Sequence, residues 1–364
     1  MTAADFSPTL SSDEPYLARA LQLAQLGTAR VFPNPRVGSV IVAEGRIIGE
    51  GYHQFAGGPH AEVNAIASVS KADQILLPES TIYVTLEPCS HFGKTPPCAD
   101  LIMQEKIPEI AVGMIDPNPR VAGRGLKRLL GQGHQVRLAQ NPEPFEEINK
   151  VFLTNQLDQR PFVSLKWAET EDGFIAKRVN GQPQPIQISG AHARIFVHRL
   201  RAAHQAMLVG RVTAQQDDPS LTTRNFPGEN PLRIILDRSL KLTSDLRVFT
   251  DGGPTLVLNE QKNGQDGAVQ FFIPEQWDDL NQLFRELYER LGITSILVEG
   301  GGKVHNMCLE QRAFDEVHRL TGPMRLGNGV PAPAVPEFLP WDLPVSLGNT
   351  RLESVKWRTP EINV

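Results

Sequence analysis

The sequence predicts an α/β protein with two domains. The chain has 364 residues, which is long for one hydrophobic core and sufficient for two. Helical patterns alternate with short apolar strands through residue 138, which is typical of a three-layer α/β/α domain. Arg160-Pro161 ends a helical stretch, because proline interrupts helical hydrogen bonding, and a second α/β pattern begins at Phe162. We therefore predict one domain at 1–155 and a second at 156–364.

The elements of the first domain follow from periodicity and turn residues. Apolar residues spaced three or four apart between 13 and 24 predict a helix that Gly27 ends. The segment 38–52 predicts a hairpin that turns at Glu44-Gly45. The remaining predicted elements are a helix from near His60, a strand at 81–85, a short helix after Cys98, a strand at 110–114, a helix at 126–130 ended by Gly131, a strand at 134–138 and a polar helix at 145–159.

Short apolar runs predict the strands of the second domain. These runs lie at 162–167, 205–209, 233–236, 255–258 and 295–298. The proline-rich segment 323–344 is predicted to be an ordered but irregular loop.

Charge and cysteine content favour a cytoplasmic protein that acts on a small molecule. The net charge is −5, whereas proteins that hold a nucleic-acid backbone are usually basic, so we expect no nucleic-acid partner. The three cysteines, Cys89, Cys98 and Cys308, cannot form a complete disulfide framework, which favours a reducing compartment. Neither a signal-peptide pattern nor a run of about 18 apolar residues is present, so we expect no membrane association.

The residues with the clearest chemical meaning form a split motif. His60-Ala61-Glu62 is followed by Pro88-Cys89 and Pro97-Cys98. A catalytic zinc ion takes three protein ligands and keeps one position for water, and one histidine and two cysteines supply that number. Glu62 is the candidate general acid/base, since this order of residues is the signature of zinc-dependent nucleobase deaminases.

The spacing of the motif also predicts where the metal lies. Residues two apart on a helix do not share a face, so His60 and Glu62 converge on a metal only at the end of a helix. We therefore expect zinc at helix N-termini, which also favour a thiolate. Two alternatives are ordinary helix residues with buried cysteines, and a structural zinc site with a fourth ligand. For that fourth ligand, Cys308 is distant in sequence and His91 is too close to Cys89.

Eight residues separate the two cysteines, whereas base deaminases typically have two. The segment LEPCSHFGKTPPC at 86–98 resembles the bifunctional riboflavin-biosynthesis deaminase/reductase family, as do PNPRVG at 33–38, GGPHAEVNAI at 57–66 and DPNPRVAGRG at 116–125. The resemblance implies a cytidine-deaminase-like first domain. It also implies hydrolytic deamination of a phosphoribosylamino-substituted diaminopyrimidinone to a uracil.

The resemblance further implies a set of substrate contacts in the first domain. These are Asn34, His53, His91, Lys94, Asp116 and Asn118. Asparagine and aspartate suit ring donors and acceptors, and Lys94 suits a phosphate. Turn formation is the alternative for Asn34 and Asn118, because each precedes a proline.

Two loops of the second domain suggest a phosphate-bearing ligand. The strand at 295–298 runs into Glu299-Gly300-Gly301-Gly302, and a helical stretch follows from Lys303. A glycine turn between strand and helix lets backbone N–H groups approach phosphates, although a triple glycine alone is more often a tight turn. The other loop is GRVTAQQDDPSLTTR at 210–224, which follows a strand and mixes Thr, Asp and Arg.

Both loops resemble the reductase domain of the same family, which is dihydrofolate-reductase-like and uses NADPH to reduce the ribose to ribityl. The resemblance implies NADP contacts at Ala168, Thr213, Asp217, Gly300, Gly301 and Gly302. It implies substrate contacts at Arg201, Leu221, Arg224 and Glu299, with the arginines at the phosphate. A solvated surface charge is the alternative for Arg201.

One segment departs from the family pattern. Residues 170–174 read TEDGF where the family has a sequence like SLDGK, and the serine and tryptophan usual in the next stretch are absent at the aligned positions within 181–189. Two alternative functions follow. The second domain could be a non-catalytic binding or oligomerisation module, or the protein could deaminate nucleic-acid bases. We expect a homo-oligomer that uses one Zn²⁺ per chain and NADPH.

Overall fold

The computed structural model describes residues 6–90, 96–118, 122–337 and 339–357. The chain forms two compact units, which divide between Asp158 and Gln159. The boundary expected after residue 155 lies inside a helix, Lys150–Asp158, and the units divide where that helix ends. Within the described residues, no helix is long and apolar enough to cross a lipid bilayer.

The first unit is a six-stranded sheet with helices packed on it. Its strands follow the spatial order β1-β6-β5-β4-β2-β3, with β2 antiparallel to both of its neighbours and the other pairs parallel. In chain order the elements are β1 Ser7–Pro8, α1 Glu14–Ala24, β2 Gly38–Ala43, β3 Arg46–Tyr52, α2 Ala61–Ser68, β4 Thr81–Val84, α3 Cys98–Gln104, β5 Glu109–Val112, α4 Arg124–Gly131, β6 Gln135–Leu138, α5 Glu143–Ile148 and α6 Lys150–Asp158.

This sheet separates two hydrophobic cores, because successive side chains of a strand point to opposite faces. Val40 and Tyr83 belong to the core that includes apolar residues of α1, α5 and α6. Ile41 and Ile82 belong to the core that includes residues of α2, α3 and α4. The predicted three-layer α/β/α architecture is therefore confirmed.

Local expectations for this unit hold except in one helix. The hairpin turns at Glu44-Gly45, both with positive φ (52° and 73°), as a type I′ turn requires. The single helix expected at 145–159 is instead two helices, α5 and α6. They divide at Asn149, whose side chain accepts a hydrogen bond from the Arg36 N–H and donates one to the Arg36 carbonyl.

The second unit is built on a ten-stranded sheet, in the order β13-β14-β12-β11-β10-β15-β7-β16-β19-β18, with a three-stranded sheet β17-β8-β9 beside it. Its elements are β7 Phe162–Thr170, β8 Phe174–Val179, β9 Gln182–Gln184, α7 Ala191–Ala203, β10 Ala206–Gly210, α8 Arg211–Asp217, β11 Leu232–Leu236, α9 Arg247–Thr250, β12 Thr255–Leu258, β13 Gly264–Asp266, β14 Val269–Phe272, α10 Leu280–Leu291, β15 Ser295–Gly300, α11 Gly302–Glu310, β16 Glu316–Gly322, β17 Gly329–Pro331, β18 Val345–Leu347 and β19 Thr350–Lys356.

The strand order of this sheet places a binding crevice. Strand β10 pairs in parallel with β11 on one side and with β15 on the other. The connections that follow β10 and β15 therefore lead to opposite sides of the sheet order, which makes this a topological switch point. Helix α8 follows β10 directly, and α11 follows β15 after Gly301. Open α/β sheets bind ligands outside the carboxyl ends of strands at such a switch point. Both candidate ligand loops of this unit lie there.

The proline-rich segment 323–344 was expected to be irregular, and this is wrong in one place. Gly329–Pro331 forms β17, which pairs antiparallel with β8. The approach is close, since a Cβ on Gly329 would lie 2.5 Å from the Ala176 carbonyl oxygen. Strand pairing of this kind depends on a partner that is distant in sequence, and the sequence alone did not reveal it.

Candidate active sites

The split motif assembles into one cluster. His60 is the residue directly before α2, Cys98 is the first residue of α3, and Cys89 lies in the loop after β4. His60 Nδ1 lies 3.5 Å from Cys89 Sγ and 3.3 Å from Cys98 Sγ. The three ligand atoms are all within 4.8 Å of one another. The cluster therefore lies at two helix N-termini, where the spacing argument predicted it.

These distances fit a tetrahedral zinc ion. When zinc has bonds of about 2.3 Å to sulfur and 2.0 Å to nitrogen at the tetrahedral angle, the sulfur and nitrogen atoms lie roughly 3.5 Å apart. The Cys98 N–H also donates a hydrogen bond to Cys89 Sγ, at 3.2 Å. Hydrogen bonding from Cys98, together with His60, lowers the pKa of Cys89 and so favours the thiolate that a metal requires. His60, Cys89 and Cys98 are thus suited to hold Zn²⁺.

Glu62 lies in the first turn of α2 and is 3% exposed. Burial, reinforced by the neighbouring Cys89, raises the pKa of Glu62 to about 7. A carboxyl group with such a pKa can both accept and release a proton near neutral pH, which is the requirement for a general acid/base.

The cluster opens into a cavity of about 250 Å³. His60, Glu62 and Cys89 line it. Four of the substrate contacts implied by the resemblance also line it, namely Asn34, His53, Asp116 and Asn118. The remaining two, His91 and Lys94, lie outside the described residues.

A hydrogen-bond chain orients Asn34 in this cavity. His53 Nδ1 lies 3.0 Å from the Pro59 carbonyl oxygen, which can only accept, so Nδ1 carries the proton. His53 Nε2 then accepts from Asn34 Nδ2 at 3.1 Å. Burial lowers the pKa of His53, so the ring stays neutral at pH 7. This assignment leaves Asn34 Oδ1 as the amide atom that can accept from a substrate.

Turn formation and cavity lining coexist in the loop that begins at Asp116. Asp116 Oδ1 accepts the Asn118 N–H at 2.8 Å, which is an Asx turn. Both side chains nevertheless line the cavity. Glu87 lines it too and was not singled out from the sequence, although it belongs to the LEPC segment.

The second unit contains a larger cavity, of about 1080 Å³, at the ends of β10 and β15. Every NADP contact implied by the resemblance lines it, namely Ala168, Thr213, Asp217, Gly300, Gly301 and Gly302. A Cβ on Gly301 would lie 2.8 Å from Thr213 Oγ1, so the two loops approach closely. Gly301 precedes α11 without a side-chain cap, which leaves N–H groups suited to a phosphate.

The implied substrate contacts of this unit are only partly brought together. Glu299 lines the cavity, and so does Lys166, which the sequence did not reveal. Arg201 is not on the cavity wall; it forms a two-point ion pair with Glu299, at 2.7 and 2.8 Å. Leu221 is 4% exposed in a hydrophobic core, and Arg224 is exposed away from the wall.

Two cations flank the Glu299 carboxylate. Lys166 Nζ lies 3.6 Å from Glu299 Oε2. Burial by itself would raise the pKa of Glu299, but Lys166 and Arg201 outweigh it and hold the pKa at about 2. Glu299 is therefore a permanent carboxylate between two cations, and Arg201 is a buried partner, not a solvated charge.

Two family models match the chain. Residues 10–114 match the cytidine and deoxycytidylate deaminase zinc-binding region, and residues 161–359 match the RibD C-terminal domain. The riboflavin biosynthesis protein RibD of Aquifex aeolicus (strain VF5) is 37% identical over 325 residues, which cover 87% of this chain and 89% of the relative. That of Escherichia coli (strain K12) is 37% identical over 335 residues, with the same two coverages of 87% and 89%.

Solved structures agree with these matches. A diaminohydroxyphosphoribosylaminopyrimidine deaminase/5-amino-6-(5-phosphoribosylamino)uracil reductase from Thermotoga maritima is 36% identical and superimposes with a TM-score of 0.86, covering 95% of this chain and 98% of the other. Acinetobacter baumannii RibD (form 1) is 30% identical, with a TM-score of 0.84 and coverages of 96% and 100%. The chain therefore belongs to the RibD family of riboflavin biosynthesis enzymes, in which a deaminase domain is followed by a reductase domain.

Proposed function

We propose that this chain catalyses two consecutive steps: zinc-dependent deamination of diaminohydroxyphosphoribosylaminopyrimidine, then NADPH-dependent reduction of 5-amino-6-(5-phosphoribosylamino)uracil. The observation that carries the proposal is that each unit has its own cavity lined by candidate functional residues. One holds a three-ligand cluster beside a buried glutamate, and the other is bounded by a glycine turn at a helix N-terminus. The Thermotoga maritima relative is named for both activities.

For the deaminase step, His60, Cys89 and Cys98 would hold zinc. When bound, the metal supplies an activated water at neutral pH. Glu62 would accept a proton from the attacking water on its carboxylate and would return it to the departing amine. Oxygen is added to the ring carbon and ammonia leaves, so the reaction is a hydrolysis without redox change.

Substrate orientation in this site depends on the amide of Asn34 and the turn of Asp116 and Asn118. His53 fixes the amide so that Asn34 Oδ1 can accept from a ring N–H group. Asp116 and Asn118 offer further acceptors and a donor for the ring edge. Lys94 is proposed for the phosphate from the resemblance alone.

For the reductase step, Gly300, Gly301 and Gly302 would bring backbone N–H groups to the cofactor phosphates. NADPH, when bound, supplies hydride to the sugar carbon. Thr213 and Asp217 line the same wall, and the Glu299 carboxylate and the Lys166 ammonium face the cavity as the charged groups that orient a polar substrate.

The segment that departs from the family pattern supports a ligand site and not an inert module. It folds into the β8–β9 hairpin and continues along the cavity. The cavity wall includes Ile175, Ala176, Pro183 and residues 185–189 from this segment. Residues other than the usual serine and tryptophan therefore complete the wall. A homo-oligomeric state and a cytoplasmic location remain predictions from sequence.

Two measurements on purified protein test the proposal. Zinc-loaded protein should release ammonia from the diaminopyrimidine phosphate, and removal of zinc by a chelator should stop the release. Titration with NADPH should change its fluorescence on binding. Failure to release ammonia would refute the deaminase half, and absence of NADPH binding would favour a non-catalytic second domain.

A further inference from the structure

We infer that Glu87 is a positioning residue of the deaminase site, which ties the loop bearing Asp116 and Asn118 to the segment bearing Cys89. The inference rests on the proposed deaminase function. Glu87 lies between β4 and Pro88-Cys89, and it is 5% exposed. A buried carboxylate at this place needs hydrogen-bond donors, because desolvation of a charge without partners is costly.

The donors to this carboxylate come from both ends of one loop. Oε2 accepts from the Asp116 N–H at 3.2 Å and from the Gly123 N–H at 2.9 Å. Oε1 accepts from the Gly125 N–H at 2.9 Å. All three donors are backbone N–H groups. Both carboxylate oxygens are therefore engaged in holding the backbone of a single loop.

The start of helix α4 depends on this contact. Gly123 precedes the helix with φ of 70° and has no side chain that could cap it. Glu87 supplies the missing acceptor from a different segment, at a helix end that favours negative charge. The approach is close, since a Cβ on Gly125 would lie 2.1 Å from the Pro88 carbonyl oxygen. The loop is thus held against the residue directly before Cys89.

A continuous series of bonds then leads to the substrate-facing side chains. Glu87 binds the Asp116 N–H, and Asp116 Oδ1 binds the Asn118 N–H. These three residues line the same cavity as Glu62 and His60. Glu87 therefore sets the distance between the metal ligands and the side chains that hold the ring. A misplacement of about 1 Å in such a site can reduce the rate roughly 100-fold.

The test is the Glu87→Gln variant, which has nearly the same shape but turns an –NH₂ group towards backbone N–H donors. We expect zinc to remain at one per chain, and KM for the diaminopyrimidine phosphate to rise about 10-fold or more with a smaller fall in kcat. Reduction of the aminouracil should be unchanged. Glu109→Gln is the matched control, because it removes the charge of a carboxylate that accepts a 2.8 Å hydrogen bond from Arg137 in the same unit but outside the cavity.

Two results would overturn the inference. Wild-type KM and kcat in Glu87→Gln would show that the loop needs no tie, and loss of zinc would show that Glu87 acts on the metal site itself. If that variant does not fold, Glu87→Asp keeps both oxygens on a shorter arm and replaces it. The loss of deaminase activity caused by Glu87→Asp should be smaller in an Asp116→Ala background than in the wild type, and additive losses would contradict the inference. Wild-type protein that releases no ammonia would instead refute the proposed function.

Discussion

Replacement of Glu299 by Gln should destabilise the second unit by about 3 kcal/mol at pH 7. Glu299 is 7% exposed, and it lies between Arg201, at 2.7 and 2.8 Å, and Lys166, at 3.6 Å. The variant keeps the shape of the side chain but leaves the Arg201 guanidinium, itself only 13% exposed, without its counter-charge. Breaking a buried pair in this way typically costs 3–5 kcal/mol.

The pKa of Glu299 gives a similar magnitude. It falls from 4.5 to about 2 on folding, which corresponds to about 3 kcal/mol of stabilisation at neutral pH. Because the folded pKa is the lower one, this stabilisation is complete well above pH 4.5 and is lost as the pH falls towards 2. The difference between wild type and variant should therefore shrink by about 1 kcal/mol between pH 7 and pH 4.

Urea unfolding followed by tryptophan fluorescence measures this quantity. All four tryptophans, at 167, 277, 341 and 357, belong to the second unit, so the signal reports on that unit alone. The control is Glu260→Gln, which breaks an exposed pair with Arg238 and should cost less than about 1 kcal/mol. A loss below about 1 kcal/mol for Glu299→Gln, or a loss independent of pH, would refute the reasoning.

Three further results are expected. Glu62→Gln should keep its zinc but deaminate roughly 100- to 10,000-fold more slowly, because an amide cannot relay the proton; loss of zinc on metal analysis would contradict this role. Asp217→Ala should weaken NADPH binding, measured by fluorescence titration, and leave ammonia release unchanged; equal damage to both steps would argue against independent sites. Gly38→Ala should lower the thermal inactivation temperature of the deaminase, with a cost of about 1–3 kcal/mol, because its Cβ would lie 2.0 Å from the Ala20 carbonyl oxygen. Gly131→Ala is the control, because its Cβ would meet open space, and it should not lower the inactivation temperature. Similar shifts of this temperature in both variants would exclude the packing explanation.

The deaminase cluster could be predicted from the sequence because the residue types of the motif and their spacing both indicate a zinc site. Three ligand types in a fixed order indicated zinc, and the spacing of His60 and Glu62 required the end of a helix. Both features depend on residues close together in the chain or on a motif with few other uses. The β2–β3 hairpin was predictable for the same reason, since Glu44-Gly45 specifies its turn.

The features that were missed depend on contacts over long sequence separations. Arg201 and Glu299 are 98 residues apart, so no local pattern shows that the arginine is buried as an ion-pair partner. Glu87 likewise acts on Gly123 and Gly125, more than 30 residues away. One missed element had a local signal: Asn180-Gly181, both with positive φ, marks the turn between β8 and β9.

The central claim is that one chain carries out both steps, one in each unit. The most direct measurement follows ammonia release and NADPH oxidation together, starting from the diaminopyrimidine phosphate and zinc-loaded wild-type protein. We predict one ammonia and one oxidised NADPH per substrate, with ammonia appearing first and Glu62→Gln slowing both signals roughly 100- to 10,000-fold. Ammonia release without any NADPH oxidation, or NADPH oxidation that keeps its wild-type rate in Glu62→Gln, would contradict the account.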